Sequence, residues 1–346
     1  MSKKHYLFYI AQNYSYAILR PLQQVIKAKG DEVAWFLEGK EVNPNYLQND
    51  EKQLNTVDEI KLYQPIAVFV PGNTVPNFIP GLKVAVFHGF NSGKLNRRGF
   101  EDHFNIRGCF DLYCTQGPNT TSTFQSLAAQ KQHFLVKETG WTTLDPLFCE
   151  HSNTDNTKPT ILLCSTFSRN LSLAPHLFET IKKLSETGKW SWLVQFHPKM
   201  PIDIVEKYKS IQGEHLTFVE TDNVIPLLQQ ADVMLCDTSS VLIMFLLQNK
   251  PVVTFKNISP AEYLVDIDDP NLVESSIEYA LSKPQVLMDK IADYTSQTHP
   301  YTDGLSSQRV LAAVDEALLE KGKLKRKPFN FIRNFKTRKK LNYWKI

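Results

Sequence analysis

Eleven short apolar runs, rich in Val, Ile, Leu and Phe, recur along the 346 residues with amphipathic stretches between them. Residues 5–10, 32–36, 66–70, 84–88, 110–115 and 133–138 form a first set, and residues 160–165, 191–196, 216–220, 233–236 and 252–255 a second. Most of these runs are near-continuously apolar, so they predict strands covered on both faces. Parallel sheets have this property, because their crossover helices lie on both sides. The helices are legible in the gaps. Leu19, Leu22, Val25 and Ile26 repeat at helical spacing within residues 16–29, and further helices are expected at 119–129, 174–186, 202–211, 224–230 and 239–248. The fold class expected is therefore α/β, built from strand–helix repeats.

The pattern breaks once. Residues 150–159 (EHSNTDNTKP) are polar, lack apolar periodicity and end in proline, as an interdomain linker does. The break predicts a first domain over 1–150 and a second over 151–300, a division that about 150 residues per domain also favours. Helical segments near 272–282, 286–296 and 305–321 follow, which puts a helix at 301–320 ahead of a tail at 321–346. Hydrophobic residues make up 42% of the chain and charged residues 22%, which excludes wholesale disorder and a disulfide scaffold. No run of 18 apolar residues is present to cross a membrane. The first eleven residues carry two lysines and a six-residue apolar run, too short for the core of a signal peptide. Cys109, Cys114, Cys149, Cys164 and Cys236 include no C-x-x-C pair and read as reduced thiols. A cytoplasmic protein is expected.

The net charge of +3 conceals an asymmetry. Residues 321–346 hold 11 Lys and Arg and no Asp or Glu, leaving the other 320 residues with 28 basic against 36 acidic, a net of −8. An acidic body argues against a partner that is nucleic acid. Phe329, Phe331, Ile332, Phe335, Tyr343 and Trp344 lie among the tail's cations, which include Lys325, Arg326, Lys327, Arg338, Lys339 and Lys340. That mixture suits an anionic membrane surface, where each basic residue adds about 1 kcal/mol and aromatics settle at the interface. A peripheral position on the inner face of the cell membrane is expected. A solvated disordered tail and an RNA-binding arm are the other readings of the same composition.

Ligands of parallel sheets bind beyond the carboxyl ends of the strands, so polar residues just after strands are the candidates for chemistry. Of nine histidines, only His88 and His197 end a predicted strand beside a loop-forming residue, in Val84-Ala-Val-Phe-His88-Gly89 and Leu193-Val-Gln-Phe-His197-Pro198. Each alone reads more readily as a structural histidine. Their matching placement, one per domain, points to a pair that exchanges protons or meets charge in a cleft between the domains. Asp237, Thr238, Ser239 and Ser240 follow a strand and open a predicted helix, an arrangement that serves equally as an anion site or as an ordinary N-cap. The turn-rich segment 140–148, with Asp145, reads as a hinge, a cleft wall or a structural loop, and Asp266, Asp268 and Asp269 as a solvated loop. The P-loop, G-x-G-x-x-G, G-x-S-x-G, H-E-x-x-H and zinc-spaced Cys/His patterns do not occur, so no metal and no PLP or nicotinamide cofactor is indicated.

Taken together, these segments resemble the CDP-glycerol glycerophosphotransferase family, enzymes that build teichoic acids and related glycerol- or ribitol-phosphate polymers. His88-Gly89-Phe90 with Lys94 downstream resembles the family's H-G-T loop and its lysine. Residues 140–148 resemble its G-x-P-x-x-D-x-[LF] segment, with Asp145 at the acidic position. Residues 161–167, with Thr166, are similar to its strand ending in Pro-Thr, and His197-Pro198 to its H-P motif. Asp237–Ser240 followed by Lys250-Pro251-Val252-Val253 is similar to its D-x-S-S…K-P-[VI] signature.

The resemblance implies a GT-B architecture: two Rossmann-like domains with parallel sheets facing a central cleft, and a C-terminal helix packing back on the first. It implies a CDP-activated donor on the second domain, near His197, Thr166 and Asp237–Ser240. It implies a glycan or lipid-linked acceptor on the first domain, near Gly89, Lys94 and Asp145. His88 would take the acceptor's proton and His197 would offset charge on the leaving phosphate, without a metal. Four positions depart from the family pattern: Met244 stands where an acidic residue usually meets ribose, Phe90 replaces a threonine, and Cys164-Ser165 replaces Ala-Pro. The same scaffold also serves GT-B glycosyltransferases using CMP- or UDP-sugars and UDP-GlcNAc 2-epimerase-like enzymes, which stay open as alternatives, as does a binding protein without turnover.

Overall fold

The structure, a computed structural model, describes residues 3–90, 99, 101–149, 158–168, 170–221 and 223–345. The chain divides into two compact units. One comprises Met1–Pro146 with Gln297–Ile346, and the other Leu147–Ser296.

Among the described residues the first unit holds seven strands: β1 (His5–Ile10), β2 (Glu32–Leu37), β3 (Lys52–Leu54), β4 (Ala67–Val70), β5 (Leu82–Ala85), β6 (Leu112–Thr115) and β7 (Leu135–Glu138). They form one sheet in the order β3-β2-β1-β4-β5-β6-β7, and every pairing is parallel. Five of the six residues of β1 and all four of β4 are buried, so the central strands are covered on both faces, as their unbroken apolar character requires. Helices α1 (Ser15–Ala28), α2 (Val57–Tyr63) and α3 (Pro118–Lys131) connect these strands.

In the second unit are β8 (Thr160–Ser165), β9 (Ser191–Phe196), β10 (Leu216–Phe218), β11 (Val233–Cys236), β12 (Val252–Phe255) and β13 (Val265–Ile267). Their order, β10-β9-β8-β11-β12-β13, repeats that of the first unit, again all parallel. Helices α4 (Ala174–Glu186), α5 (Ile202–Lys209), α6 (Ile225–Gln230), α7 (Val241–Leu246), α8 (Val273–Leu281) and α9 (Gln285–Thr298) complete it, the last two residues of α9 belonging to the first unit. Trp190, Trp192, Phe178, Phe196 and Tyr208 fill the core between the sheet and its helices. In each sheet the strand order reverses beside the first strand, between β1 and β4 and between β8 and β11. Such a reversal is where doubly wound sheets open a crevice at their carboxyl ends.

The chain returns to the first unit as α10 (Ser306–Glu320), whose Val310, Leu311, Val314 and Ala317 are buried and which packs on α1. The re-entry is tightly fitted. Gly117 faces the backbone at Thr298, where a Cβ would lie 2.4 Å from the carbonyl oxygen. Gly140 has φ +77°, and a Cβ there would meet Ser306 Oγ at 2.5 Å. Neither position accepts a side chain.

The tail is ordered. Helix α11 (Phe331–Lys340) follows a strap at 325–330, and both lie on the first unit. Its cations do the fastening. Lys327 pairs with Asp111 at 2.7 Å, Lys340 with Glu38 at 2.8 Å and Lys345 with Asp58 at 2.7 Å. Arg338 lies over the rings of Phe78 and Tyr343, and buried Tyr343 stacks on Phe78. Phe329, Phe331, Ile332, Phe335 and Trp344 are all more than half exposed, with Lys325, Arg326, Lys336 and Lys339 exposed around them. Among the described residues no helix is long and apolar enough to cross a membrane.

Candidate functional site

In the first unit the carboxyl ends of β1, β4 and β5 converge on His88. Strand β5 ends at Ala85, earlier than the apolar run suggested, and the chain then turns through Phe87 at φ +57°. A bulky residue in the left-handed region is strained and persists only where its surroundings fix it. Here the Phe87 ring stacks on His103 and meets Phe124 edge-on. The turn exposes His88, whose Nδ1 lies 3.0 Å from the carbonyl oxygen of Pro71, just after β4. A carbonyl only accepts, so in the neutral ring Nδ1 carries the proton and Nε2 presents a lone pair. Tyr14, just after β1, packs on the imidazole at 5.7 Å between centroids. The Gly89 carbonyl accepts from Gln116 Nε2 at 3.0 Å, and the buried Gln116 Oε1 has no partner among the described residues. Lys94 lies outside the described residues.

Asp145 is held inside the first unit. Its carboxylate is buried and accepts from the backbone N–H groups of Ser306 and Ser307, both at 2.8 Å. It caps α10 from 160 residues away in sequence. Burial raises its pKa, against the pull of those hydrogen bonds. Trp141, in the same segment, donates its backbone N–H to His299 Nε2 at 2.9 Å. Residues 140–148 are thus the seat on which the returning chain is held.

The second unit brings Thr166, Asp237, Thr238 and Ser239 to the reversal between β8 and β11. Asp237 is fully buried and is the hub. One carboxylate oxygen accepts from Ser165 Oγ at 2.7 Å, Thr166 N at 3.0 Å and Leu173 N at 3.1 Å, and the other from Thr166 N at 3.1 Å. Burial nevertheless wins and raises its pKa. Asp237 therefore shapes the loop. Thr238 Oγ1 accepts from the N–H of Ile258, which ties down the loop after β12. Helix α7 has six residues, fewer than the run 239–248 predicted, and exposed Ser240 makes no capping hydrogen bond with its side chain. Met244 is half-buried within α7. Lys250 donates to the carbonyls of Leu228 and Gln229, a structural seat in which burial lowers its pKa to about 8.

His197 follows β9, exposed beside this loop, with its ring 4.5 Å from that of Phe167, and Lys199 Nζ lies over the same phenyl ring. The Lys199 backbone N–H donates to His197 Nδ1 at 3.1 Å. Its neutral ring therefore carries the proton on Nε2, the reverse of His88. Partial burial and the nearby Lys199 charge lower its pKa, so the ring is neutral at pH 7. The sequence missed Tyr14 and Lys199 as neighbours of the two imidazoles and Gln116 as the partner of the Gly89 carbonyl. The signal was available in part, since Tyr14 and Gln116 each fall just after a predicted strand. Among the described residues no group of three His, Cys, Asp or Glu side chains is placed to hold a metal ion.

No family model and no curated protein matches the chain by sequence. Solved structures do match. The S. aureus protein MnaA in complex with UDP aligns with a TM-score of 0.62 at 18% identity, over 95% of this chain and 100% of that one. The wall teichoic acid polymerase TagF aligns with a TM-score of 0.62 at 13% identity, over 92% and 89%. A UDP-GlcNAc 2-epimerase from Neisseria meningitidis bound to UDP-GlcNAc aligns with a TM-score of 0.60 at 12% identity, over 90% and 100%. The fold class is GT-B. Identities this low carry the fold and no more, so the chemistry rests on the residues just described. Both sheets have the Rossmann-like strand order of the GT-B class, and each presents one exposed histidine with a defined tautomer just past a strand end.

Proposed function

We propose that the protein is a nucleotide-dependent GT-B transferase that moves glycerol phosphate, or a related alditol phosphate, from a CDP-activated donor to a glycan or lipid-linked acceptor. One observation carries the reading: the two histidines have opposite and complementary tautomers. His88 offers a lone pair on Nε2, as a general base must, and His197 offers an N–H on Nε2, as a phosphate ligand must. In this scheme the acceptor hydroxyl oxygen attacks the donor's β-phosphorus in line. The new O–P bond forms as the bond from the β-phosphorus to the bridging oxygen breaks, and CMP leaves. The hydroxyl proton passes to His88, while His197 donates to the phosphate oxygens beside Thr166, Ser239 and Ser240. Positioning and electrostatics supply most of the acceleration, as in other phosphoryl transfers.

The likeness to UDP-GlcNAc 2-epimerases supports a second reading equally at the level of the fold: a nucleotide-sugar enzyme that needs no acceptor. A GT-B glycosyltransferase using a CMP- or UDP-sugar is the related form. A thermal-shift series with CDP-glycerol, CDP-ribitol, CMP-sugars and UDP-GlcNAc, run alongside His197→Ala, separates them. Stabilisation by CDP-glycerol or CDP-ribitol that the substitution abolishes supports the transferase. Stabilisation by UDP-GlcNAc, with its epimerisation in the absence of any acceptor, overturns it.

The outward-facing aromatics and exposed cations of the tail support peripheral association with an anionic membrane, where a lipid-linked acceptor resides. Phe331, Ile332, Phe335 and Trp344 changed together to serine should abolish co-sedimentation with phosphatidylglycerol vesicles without unfolding the protein. Unchanged co-sedimentation would refute the membrane reading.

A further inference from the structure

A cavity lies at the amino ends of two interior strands of the first sheet, whereas His88 follows the carboxyl end of one of them. Where the strap at 325–330 and the start of α11 cross the amino ends of β5 and β6, they roof this cavity of about 230 Å³. Four cations line it, Lys83, Lys321, Lys327 and Arg333, against the single carboxylate of Asp111. That carboxylate is already used: one oxygen takes the Lys327 ammonium at 2.7 Å and the other the Lys83 backbone N–H at 2.8 Å. Lys83 is 7% exposed and rests its ammonium on the carbonyls of Ile79 and Gly81. Arg333 donates to the Arg107 carbonyl at 2.7 Å. Among the described residues Lys327 is the one cation of the four that pairs with a carboxylate, while Lys83 and Arg333 meet carbonyls.

A buried ammonium without a counter-charge costs several kcal/mol, which an anion placed beside it recovers. Burial first, and the neighbouring Lys327 and Lys321 charges, lower the Lys83 pKa to about 8 against the opposing pull of Asp111. The cavity is smaller than the range of about 300–1,000 Å³ usual for drug-sized ligands, which suits a compact polyanion.

We propose that this cavity is a phosphate-binding site, which takes the phosphate group of a small phosphorylated ligand between Lys83, Lys321, Lys327 and Arg333. Occupancy would hold the strap and α11 against the sheet, because Lys321, Lys327 and Arg333 belong to the tail while Lys83 belongs to β5. The inference is independent of the donor and acceptor chemistry proposed above. Two sources offer the same group, a free phosphate or diphosphate and the headgroup of an anionic lipid.

Isothermal titration of the full chain with inorganic phosphate and with pyrophosphate, at constant ionic strength and with sodium chloride as control, tests it. One-to-one saturable binding is expected, weakened about tenfold in each of Lys321→Gln and Arg333→Gln, the equivalent of one charge-assisted hydrogen bond. These two residues are less buried than Lys83, so the variants should fold, and unchanged melting without ligand verifies it. His88→Ala and His197→Ala should leave this binding unaltered, which separates the site from the catalytic candidates. Displacement of bound phosphate by dihexanoyl phosphatidate identifies a lipid headgroup as the source, and failure to displace identifies a free anion. Absence of saturable binding, or binding equal in wild type and both Gln variants, overturns the proposal.

Discussion

Replacing Asp237 by alanine should be the most costly single change in the second unit's loop cluster, and its size can be worked from the contacts. The substitution strands the buried N–H of Leu173 and the partly buried N–H of Thr166, while the Ser165 hydroxyl keeps Ser172 Oγ at 2.8 Å as a partner. Each stranded buried donor costs about 1–3 kcal/mol. Part of that is offset, because the wild-type carboxylate is itself held in a dry site that raises its pKa. A net loss of about 3 kcal/mol follows. For a unit of roughly 150 residues, this lowers Tm by about 6–12 °C.

Asp237→Asn keeps one acceptor oxygen where three donors converge and should lose about 1 kcal/mol or less at pH 7. The pH dependence gives an independent check. A carboxyl with a raised folded-state pKa binds its proton more tightly folded than unfolded, so its contribution to stability is present at low pH. That contribution is lost as pH rises from the unfolded value of about 3.9 through the folded one. The wild type's advantage over Asp237→Asn should therefore shrink as pH rises. Urea unfolding of both variants between pH 4 and 8 measures it. A loss below about 1 kcal/mol for the alanine variant, or an advantage that grows with pH, would refute the reasoning.

Other outcomes are expected. Asp145→Ala strands the Ser306 and Ser307 N–H groups at the start of α10 and should cost about 1–2 kcal/mol by chemical denaturation. His88→Ala should lower turnover about 10²–10⁴-fold with donor affinity unchanged by calorimetry, and an equal loss of affinity would remove His88 from the role of base. Donor affinity should tighten as pH falls below 6.5 and His197 gains charge, and His197→Ala should flatten that rise. Tyr343→Ala should release α11 from Phe78, read as faster amide exchange across residues 331–340 with the second unit unaffected.

Much of this was legible because burial on both faces writes a strand directly into the sequence. Each of the eleven expected runs coincides with a strand. The two strands the reading lacked, β3 (KQL) and β13 (VDI), are three-residue strands at sheet edges, too short and too polar to leave a pattern. The run at 84–88 misplaced both ends of β5, starting two residues late and running on past Ala85 because apolarity continues through Val86 and into Phe87, where the backbone turns. Helix α11 was hidden for the opposite reason. It is fastened by ion pairs and by Arg338 on aromatic rings, and its apolar side chains face outward, so no periodic inward stripe marks it. The structural partners of Asp145 and Asp237 were not legible, because a motif records only residue type and order. Their actual partners, the N–H groups at 306–307 for Asp145 and those of Thr166 and Leu173 for Asp237, are set by tertiary contacts 64 to 162 positions distant.

The first unit is made from both flanks of the chain, with the second inserted between residues 146 and 297. During synthesis this imposes an order. When residue 296 has emerged from the ribosome, the second unit has every residue it needs. The first still lacks α10, the Ser306 and Ser307 N–H groups that satisfy Asp145, and the tail that covers Phe78. A nascent chain halted there carries one finished unit and one with open apolar surface. Chaperone engagement and proteolytic loss should therefore concentrate on residues 1–146 until residues 297–346 arrive.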